Sequence, residues 1–397
     1  MEAPGATDHS AGRIREWLEE RRGEMVDDLR QFVERESPTT DKRRTDSFAD
    51  FLAGYASRMT GGTAEVIEQE EWGNHVRVRI GEGGERPVLM VGHFDTVWPV
   101  GTLAQMPFAM DDGKARGPGV FDMKAGLVQG FWALRALRET GAGQPPVVFL
   151  LNSDEEVGSP SSRLLIEEEA RRAAISMVLE PSFHGALKTS RKGVGMFTVH
   201  VGGRASHAGS EPFEGVSAIE EACRITLDLH AQTSRASGTT VNVGVFRGGT
   251  RGNVVAAEAV LEVDLRVSTQ SEAERMTNAI LGLRPHRPDA RVDVSGGMNR
   301  PPMERTEEVV RLFEQARRLA GELGIELDEA AVGGGSDGNF CALVNPAVLD
   351  GLGAVGDGAH ALSEHVLIEH MVPRATLVAR LLESVRSPSP PSSREGL

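Results

Sequence analysis

Cysteine is nearly absent: the 397-residue chain holds only Cys223 and Cys341, too few for a disulfide framework. Both are expected as small buried hydrophobes of a protein in a reducing compartment. Basic residues are in deficit, 43 Lys and Arg against 58 Asp and Glu. The resulting net charge of −15 repels nucleic-acid phosphates and anionic membranes, so neither is expected as a partner. No apolar run approaches the roughly 18 residues of a membrane-crossing helix. The stretch Met1 to Ala11 lacks the basic and apolar regions of a secretory signal, so a cytoplasmic protein is expected. No internal repeat is visible. What is present, 40% hydrophobic and 25% charged residues, is the balance of a soluble globular chain. Its length exceeds the roughly 250–300 residues that one core sustains, which predicts two domains.

Residues 1–10 and the Ser- and Pro-rich stretch 387–397 lack periodicity and are expected to be disordered. Ile14, Trp17, Leu18, Met25, Leu29, Phe32 and Val33 recur at helical spacing, which predicts one amphipathic helix ended by Ser37-Pro38. A second helix follows through Phe48, Phe51, Leu52 and Tyr55, then a half-exposed strand of alternating Val76, Val78 and Ile80. Three continuous apolar runs, 87–91, 146–151 and 175–179, are separated by helical stretches 123–140 and 161–172. This is the pattern of central parallel strands covered on both faces, hence an α/β fold with a layered, largely parallel sheet. From Gly193 the order becomes β-α-β-β-α-β, a ferredoxin-like α+β unit. Beyond Pro301-Pro302 come a helix 304–323, a Gly-rich turn 333–338, a short strand near Ala347 and a long helix 363–385. The expected organisation is a discontinuous domain, 1–192 with 301–397, interrupted by a smaller domain at 193–300.

Each buried run ends in polar residues. His93-Phe94-Asp95 follows the first, Asp154-Glu155-Glu156 the second and Glu180 the third. Ligands bind at the carboxyl ends of strands in open α/β sheets, so these groups are expected to converge. Asp122 stands in a Gly-rich loop before a helix, and His360 in another loop. Taken singly, each has an ordinary reading: a helix cap, a solvated acidic pair, satisfied histidines. Together they would crowd four carboxylates into one cleft, which requires cations. Two imidazoles, oxygen donors and no thiolate fit a catalytic rather than structural metal site, zinc first, with manganese or cobalt as alternatives. In an adjacent Glu pair, one carboxylate can bind metal while the other accepts a proton from water. Metal-assisted hydrolysis is the predicted chemistry.

The motifs Gly92-His-Phe-Asp-Thr-Val97, Gly117-Pro-Gly-Val-Phe-Asp-Met-Lys124, Ser153-Asp-Glu-Glu-Val-Gly-Ser159, Leu179-Glu-Pro181, Gly203-Arg-Ala-Ser-His-Ala-Gly209, Gly252-Asn-Val-Val255 and Ala359-His360 with Glu364 run in order along nearly the whole chain. In these the sequence resembles the M20 metallopeptidases and amidohydrolases, most closely the glutamate carboxypeptidase (carboxypeptidase G) branch. The resemblance implies two divalent ions bridged by Asp122 and a water or hydroxide. His93 and Glu180 would complete one site, Glu156 and His360 the other, with Glu155 the general base and Asp95 orienting His93. It implies a cis Asp122-Met123 peptide. It also implies that His207 polarises the scissile carbonyl, reaching in some relatives a partner subunit's site, and hence a closing small domain and a homodimer. Asn253 and Arg266 match groups that grip a substrate carboxylate, and Lys188 and Arg300 match further basic positions. Strand alternation also allows Arg266 an ion pair with Glu262 or Asp264. Ala256 and His365 depart from the family pattern, at a usual proline and a usual aromatic. The expected substrate is a small molecule or short peptide with a free carboxylate: a C-terminal glutamate or an N-acyl amino acid. The alternatives are a deacylase of acetylornithine or succinyl-diaminopimelate type, a dipeptidase, and a catalytically silent binding homologue.

Overall fold

The computed structural model describes residues 6–82 and 86–385. Its first elements are α1 (Ala6–Glu19), α2 (Arg22–Val33), α3 (Lys42–Thr60), β1 (Thr63–Ile67), β2 (His75–Ile80) and β3 (Val88–His93). Then come β4 (Ala109–Asp111), β5 (Lys114–Arg116), α4 (Ala125–Thr140), β6 (Val147–Asn152), α5 (Arg163–Arg172), β7 (Ile175–Val178) and β8 (Leu187–Arg191). The middle of the chain forms β9 (Gly193–Gly202), α6 (Ala218–His230), β10 (Thr240–Gly248), β11 (Glu258–Val267), α7 (Gln270–Leu281) and β12 (Arg291–Arg300). The remainder is α8 (Glu307–Glu322), β13 (Glu329–Val332), α9 (Gly338–Val344), β14 (Val348–Leu349), β15 (Gly356–Asp357), β16 (His365–Leu367) and α10 (Met371–Ser384).

Two compact units result, one of 1–189, 305–330 and 340–397, the other of 190–304 and 331–339. The larger holds a six-stranded sheet in the order β1-β2-β6-β3-β7-β14. The pairings of β3 with β6 and β7, and of β7 with β14, are parallel, and those of β2 with β1 and β6 antiparallel. Every residue of β3, β6 and β7 is buried, so the continuous apolar runs are central strands with both faces covered. Because β3, β6 and β7 run parallel, their carboxyl ends share one edge of the sheet. A second, antiparallel sheet, β15-β16-β5-β4, belongs to the same unit.

One close approach fixes the helix behind this edge. A Cβ on Gly126 in α4 would lie 2.1 Å from the carbonyl oxygen of Leu179, and one on Gly353 would meet the same oxygen at 2.1 Å. The two glycines therefore seat the backbone that leads into Glu180. Gly126→Ala is expected to lower the unfolding free energy by about 3 kcal/mol, the upper end of overpacking costs. Gly12→Ala, with nothing within 4 Å, serves as the control and should stabilise α1 by about 0.5–1 kcal/mol. Urea denaturation of the two variants checks both signs.

The smaller unit has the sheet order β10-β11-β9-β12, all antiparallel. Phe197, Val199, Val201, Leu261, Val263 and Leu265 form its core with Ala222, Ile225 and Leu229 of α6 and Met276 and Ile280 of α7. The sequence boundaries at 192/193 and 300/301 leave out 331–339, which groups with this unit. Backbone contacts explain the grouping: Lys192 N donates to Val332 O, and Asn339 Nδ2 to Pro301 O at 2.7 Å.

Other expectations fail locally. The single helix expected through Ile14 to Val33 is two, broken at Glu20-Arg21, where Arg21 has φ −115° and ψ 15°. The break falls in the apolar gap between Leu18 and Met25. Residues 6–10, expected to be disordered, lie in α1, where Ser10 is buried and donates to Glu383 Oε1 at 2.8 Å. Residues 1–5 and the 387–397 stretch are outside the described residues. The final helix begins at Met371, because His365–Leu367 pairs with β5 instead. Pro373 in its first turn has no N–H to leave unsatisfied. Cys341 is buried as expected, but Cys223 is exposed, since α6 turns Ala222, Ile225 and Leu229 to the core.

Candidate metal centre

His93 closes β3 and Glu180 lies two residues past β7. His93 Nε2 is 3.2 Å from Asp122 Oδ1 and 3.5 Å from Glu180 Oε1. On the other side of the same carboxylate, His360 Nε2 lies 3.4 Å from Asp122 Oδ2 and 3.2 Å from Glu156 Oε2. Asp122 thus presents one oxygen to each of two groups, His93–Asp122–Glu180 and Asp122–Glu156–His360. Within each, the potential ligand atoms lie within 4.8 Å of one another.

The local structure that holds these groups follows from a few side chains. Asp122 sits in a wound turn, Val120–Lys124, that starts after Gly119 at φ 70° and contains a cis Asp122-Met123 peptide. Glu155 and Glu156 open a 3-10 turn after β6. Asp95, fully buried, ties the strands together. Its carboxylate accepts from Glu155 N and Glu156 N at 3.3 and 3.2 Å and from Thr39 Oγ1 at 2.7 Å. Asp95 Oδ1 also lies 3.3 Å from His93 Nδ1, so one side chain orients an imidazole and the start of the Glu pair. Asp154 accepts from the backbone and hydroxyl groups of both Ser161 and Ser162, fixing the far end of that turn.

The electrostatics of the metal-free cluster are those of acids held together by shared protons. Burial opposes a charge on His93, but its bonds to Asp122, Asp95 and Glu180 outweigh this and hold the imidazole well above its ordinary range. His360, hydrogen-bonded to Asp122 and Glu156, is pushed up to about 10. Burial raises Glu156 to about 7, helped by the nearby Asp122 charge and opposed by the His360 bond. Burial works against the Asp122 charge as well, yet the two imidazoles hold this carboxyl below the usual range. Glu156 Oε1 is buried with no hydrogen-bond partner. An orphaned buried carboxylate oxygen beside two imidazoles and further acids is what a cation-binding site would present.

Peptidase family M20/M25/M40 matches this sequence over residues 89–384. The chain belongs to peptidase family M20. Carboxypeptidase G2 of Pseudomonas sp. (strain RS-16) is 32% identical over 78% of this M20 chain and 76% of its own length. Among solved structures, aminopeptidase PepT of Bacillus cereus superposes with a TM-score of 0.75 at 22% identity, covering 91% of this chain and 98% of its own. The Bacillus subtilis YXEP protein, described as a dinuclear metal-binding peptidase of the M20 family, gives 0.66 at 13% identity, covering 92% and 98%. The M20 chain is therefore an enzyme of peptidase and amidohydrolase type, in a metal-dependent family with a mixed α/β fold.

The other residues singled out from sequence fall into separate groups. In the smaller unit of the M20 chain, His207 and Asn253 are neighbours: Ala208 N donates to Asn253 O at 3.0 Å. His207 Nδ1 accepts from Gly209 N and Ser210 N, which leaves a neutral ring its proton on Nε2. Arg266 makes the ion pair that strand alternation allowed, bidentate to Asp264 at 2.9 and 2.8 Å. Arg300 is buried against Asp337 at 3.0 Å. Lys188 belongs to the larger unit, on β8, where its backbone N donates to Asp350 O.

Sequence reasoning gave Glu364 a place in a motif but no role. Its buried carboxylate accepts from Gly119 N, Phe121 N and Asp122 N at 3.0, 2.9 and 3.1 Å, and from Trp98 Nε1 at 2.8 Å. Four donors converge on one acceptor, so the loop bearing Asp122 is pinned four residues beyond His360. Lys124 likewise closed a motif without a role. It is buried, donates to Arg35 O at 2.8 Å, and is lowered by burial to about 7. Glu364→Gln, which turns an NH₂ toward backbone N–H groups, is expected to weaken metal binding about 10–100-fold, as loss of a ligand-orienting partner does. Competition against a chelating dye reads this directly.

Proposed function

We propose that the chain is a dinuclear metal hydrolase cleaving the amide beside a free carboxylate, in a C-terminal glutamate or an N-acyl amino acid. The observation that carries this reading is Asp122, with one oxygen toward the His93 and Glu180 group and the other toward His360 and Glu156. Those five residues would hold two ions, with zinc favoured by imidazole and carboxylate donors that allow an open position. Bound there, the ions would polarise the scissile carbonyl and acidify water. Glu155 takes a proton from the attacking water and delivers it to the leaving nitrogen. Asp95 keeps His93 in register. His207, with Nε2–H as donor, stabilises negative charge developing on the carbonyl oxygen. Asn253 and Arg266 bind the carboxylate, and Lys188 and Arg300 add basic character. Likeness to carboxypeptidase G2 favours the glutamate side of this substrate class.

The reading extends to a homodimer in which the smaller unit, 193–300 in the sequence division, closes over substrate and supplies His207 across the interface. Two free cysteines suit the cytoplasm. Metal analysis with a panel of acyl-glutamate, acyl-ornithine, succinyl-diaminopimelate and dipeptide substrates tests the whole. Turnover confined to dipeptides with free amines would overturn it.

His207→Ala is expected to lower kcat chiefly, by about 10²-fold for a lost oxyanion donor. Arg266→Ala should raise KM and erode the preference for carboxylate-bearing substrates. Mixing inactive His207→Ala and Glu155→Gln proteins should restore partial activity through heterodimers. Failure to complement, with subunit exchange demonstrated, would return His207 to its own chain's site.

A further inference from the structure

A cavity of about 540 Å³ opens in the larger unit and takes no wall from the metal-ligand candidates. It is of ligand-binding size. Arg374 forms part of its lining, 2% exposed. The guanidinium donates to the carbonyls of Gly353, Gly185 and Gly351, and no carboxylate among the described residues pairs with it. Of five N–H donors, three are used. Burial lowers its pKa to about 10 without any acidic neighbour to offset the loss of water. Lys114 shares the lining and makes no ion pair among the described residues. His365 donates Nδ1–H to Ser363 O at 2.9 Å, which leaves Nε2 open. The same cavity is also lined by Glu326, Asp328 and Asp357, the last paired across the strands with His365.

A simple anion here would meet three carboxylates, and a simple cation would meet Arg374 and Lys114. A ligand with both charges satisfies both sets. We propose that this cavity binds a free α-amino acid, its carboxylate toward Arg374 and Lys114 and its ammonium toward Asp328 and its acidic neighbours. The inference rests on the hydrolase reading above for the source of that ligand. The amide substrate has no ammonium, because its nitrogen is acylated; the released amino acid has one. A site demanding both charges therefore separates product from substrate. Its position is also apt. Asp357 of β15 stands three residues before His360, and His365 of β16 directly follows Glu364, so an occupant touches the two strands flanking the loop that bears His360 and the carboxylate pinning the Asp122 loop.

The test uses the metal-loaded full chain and three probes in calorimetry: L-glutamate, N-acetyl-L-glutamate and L-isoglutamine, the last two lacking one charge each. L-glutamate should bind a class of site lost in Lys114→Glu and in Asp328→Lys, each by at least about tenfold in affinity. Lys114→Gln should weaken that class in the same direction and covers the case in which charge reversal upsets folding. N-acetyl-L-glutamate and L-isoglutamine should not compete for it. If all L-glutamate binding survives in the Lys114 variants, the ligand sits in the metal cleft alone and the inference falls. It falls equally if L-glutamate does not bind, or if N-acetyl-L-glutamate competes as well as L-glutamate. Failure of the hydrolase reading looks different: acyl-glutamate is not turned over, while L-glutamate binding and its loss in Lys114→Glu are unchanged.

Discussion

Glu155→Gln should leave a protein that binds its full complement of metal and turns over about 10²–10⁴-fold more slowly, the usual loss for a general base. The structure separates the two neighbouring carboxylates. Glu156 faces His360 at 3.2 Å, and in a 3-10 turn successive side chains point about a third of a revolution apart. Glu155 falls in neither candidate ligand group, while its backbone N stays on Asp95. The amide keeps the size and removes the proton acceptor, so metal content and kcat, measured on one preparation, should part company. Near-normal turnover in the metal-replete variant would remove Glu155 from the chemistry. Loss of metal with loss of turnover would make it a ligand instead.

Metal uptake should be steeply pH-dependent, and the sign follows from the metal-free cluster. Both imidazoles are held above their ordinary value, His360 at about 10 and His93 well up through its bonds to acids. Below those raised values each carries a proton that an entering cation must displace, so affinity grows as the pH rises. One proton lost at His360 means about tenfold tighter binding of its ion per pH unit, or about 100-fold between pH 6 and pH 8, and the raised His93 acts in the same direction. Glu156, raised to about 7, steepens the lower half of that range. Competition titrations at pH 6, 7 and 8 would give the slope. A flat profile would mean that His93 and His360 do not bind metal through the nitrogens that now face Asp122.

The central strands and the polar residues at their ends were legible because burial on both faces leaves an unbroken apolar run, and the run ends where polar side chains can meet solvent or a cation. His93-Phe94-Asp95, Asp154-Glu155-Glu156 and Glu180 could be placed at one sheet edge by that rule, whereas the part each would play came only from the family resemblance. What the sequence hides is contact across distance. Glu364 receives backbone N–H groups more than 240 residues earlier, and no local pattern marks a carboxylate whose partners, Trp98 included, all lie so far back in the chain. The strand His365–Leu367 was read as helix because three residues are too few to show alternation; its pairing with β5 decides it. Arg266 was legible in both readings, and Asp264 two residues before it supplied the ion pair.

The segment 331–339 has a consequence for anyone moving the smaller unit between proteins. That unit comprises two stretches and the larger one three, so the chain passes between them four times. Cutting out 190–304 alone would strand Arg300, whose carboxylate partner Asp337 lies on the second stretch, and would leave Arg191 without the carbonyls of Gly334 and Gly335. Removing the carboxylate partner of a buried guanidinium is among the costlier defects a fold can carry. Taking 190–339 in one piece brings α8 along, and its Leu312, Phe313, Ala316 and Leu319 belong to the core of the larger unit, where they would leave a hole behind and an oily face on the graft. Chimeras in this fold therefore need two transplanted stretches joined at four seams, and single-crossover recombination between relatives would be expected to yield few soluble progeny when the break falls between 304 and 339.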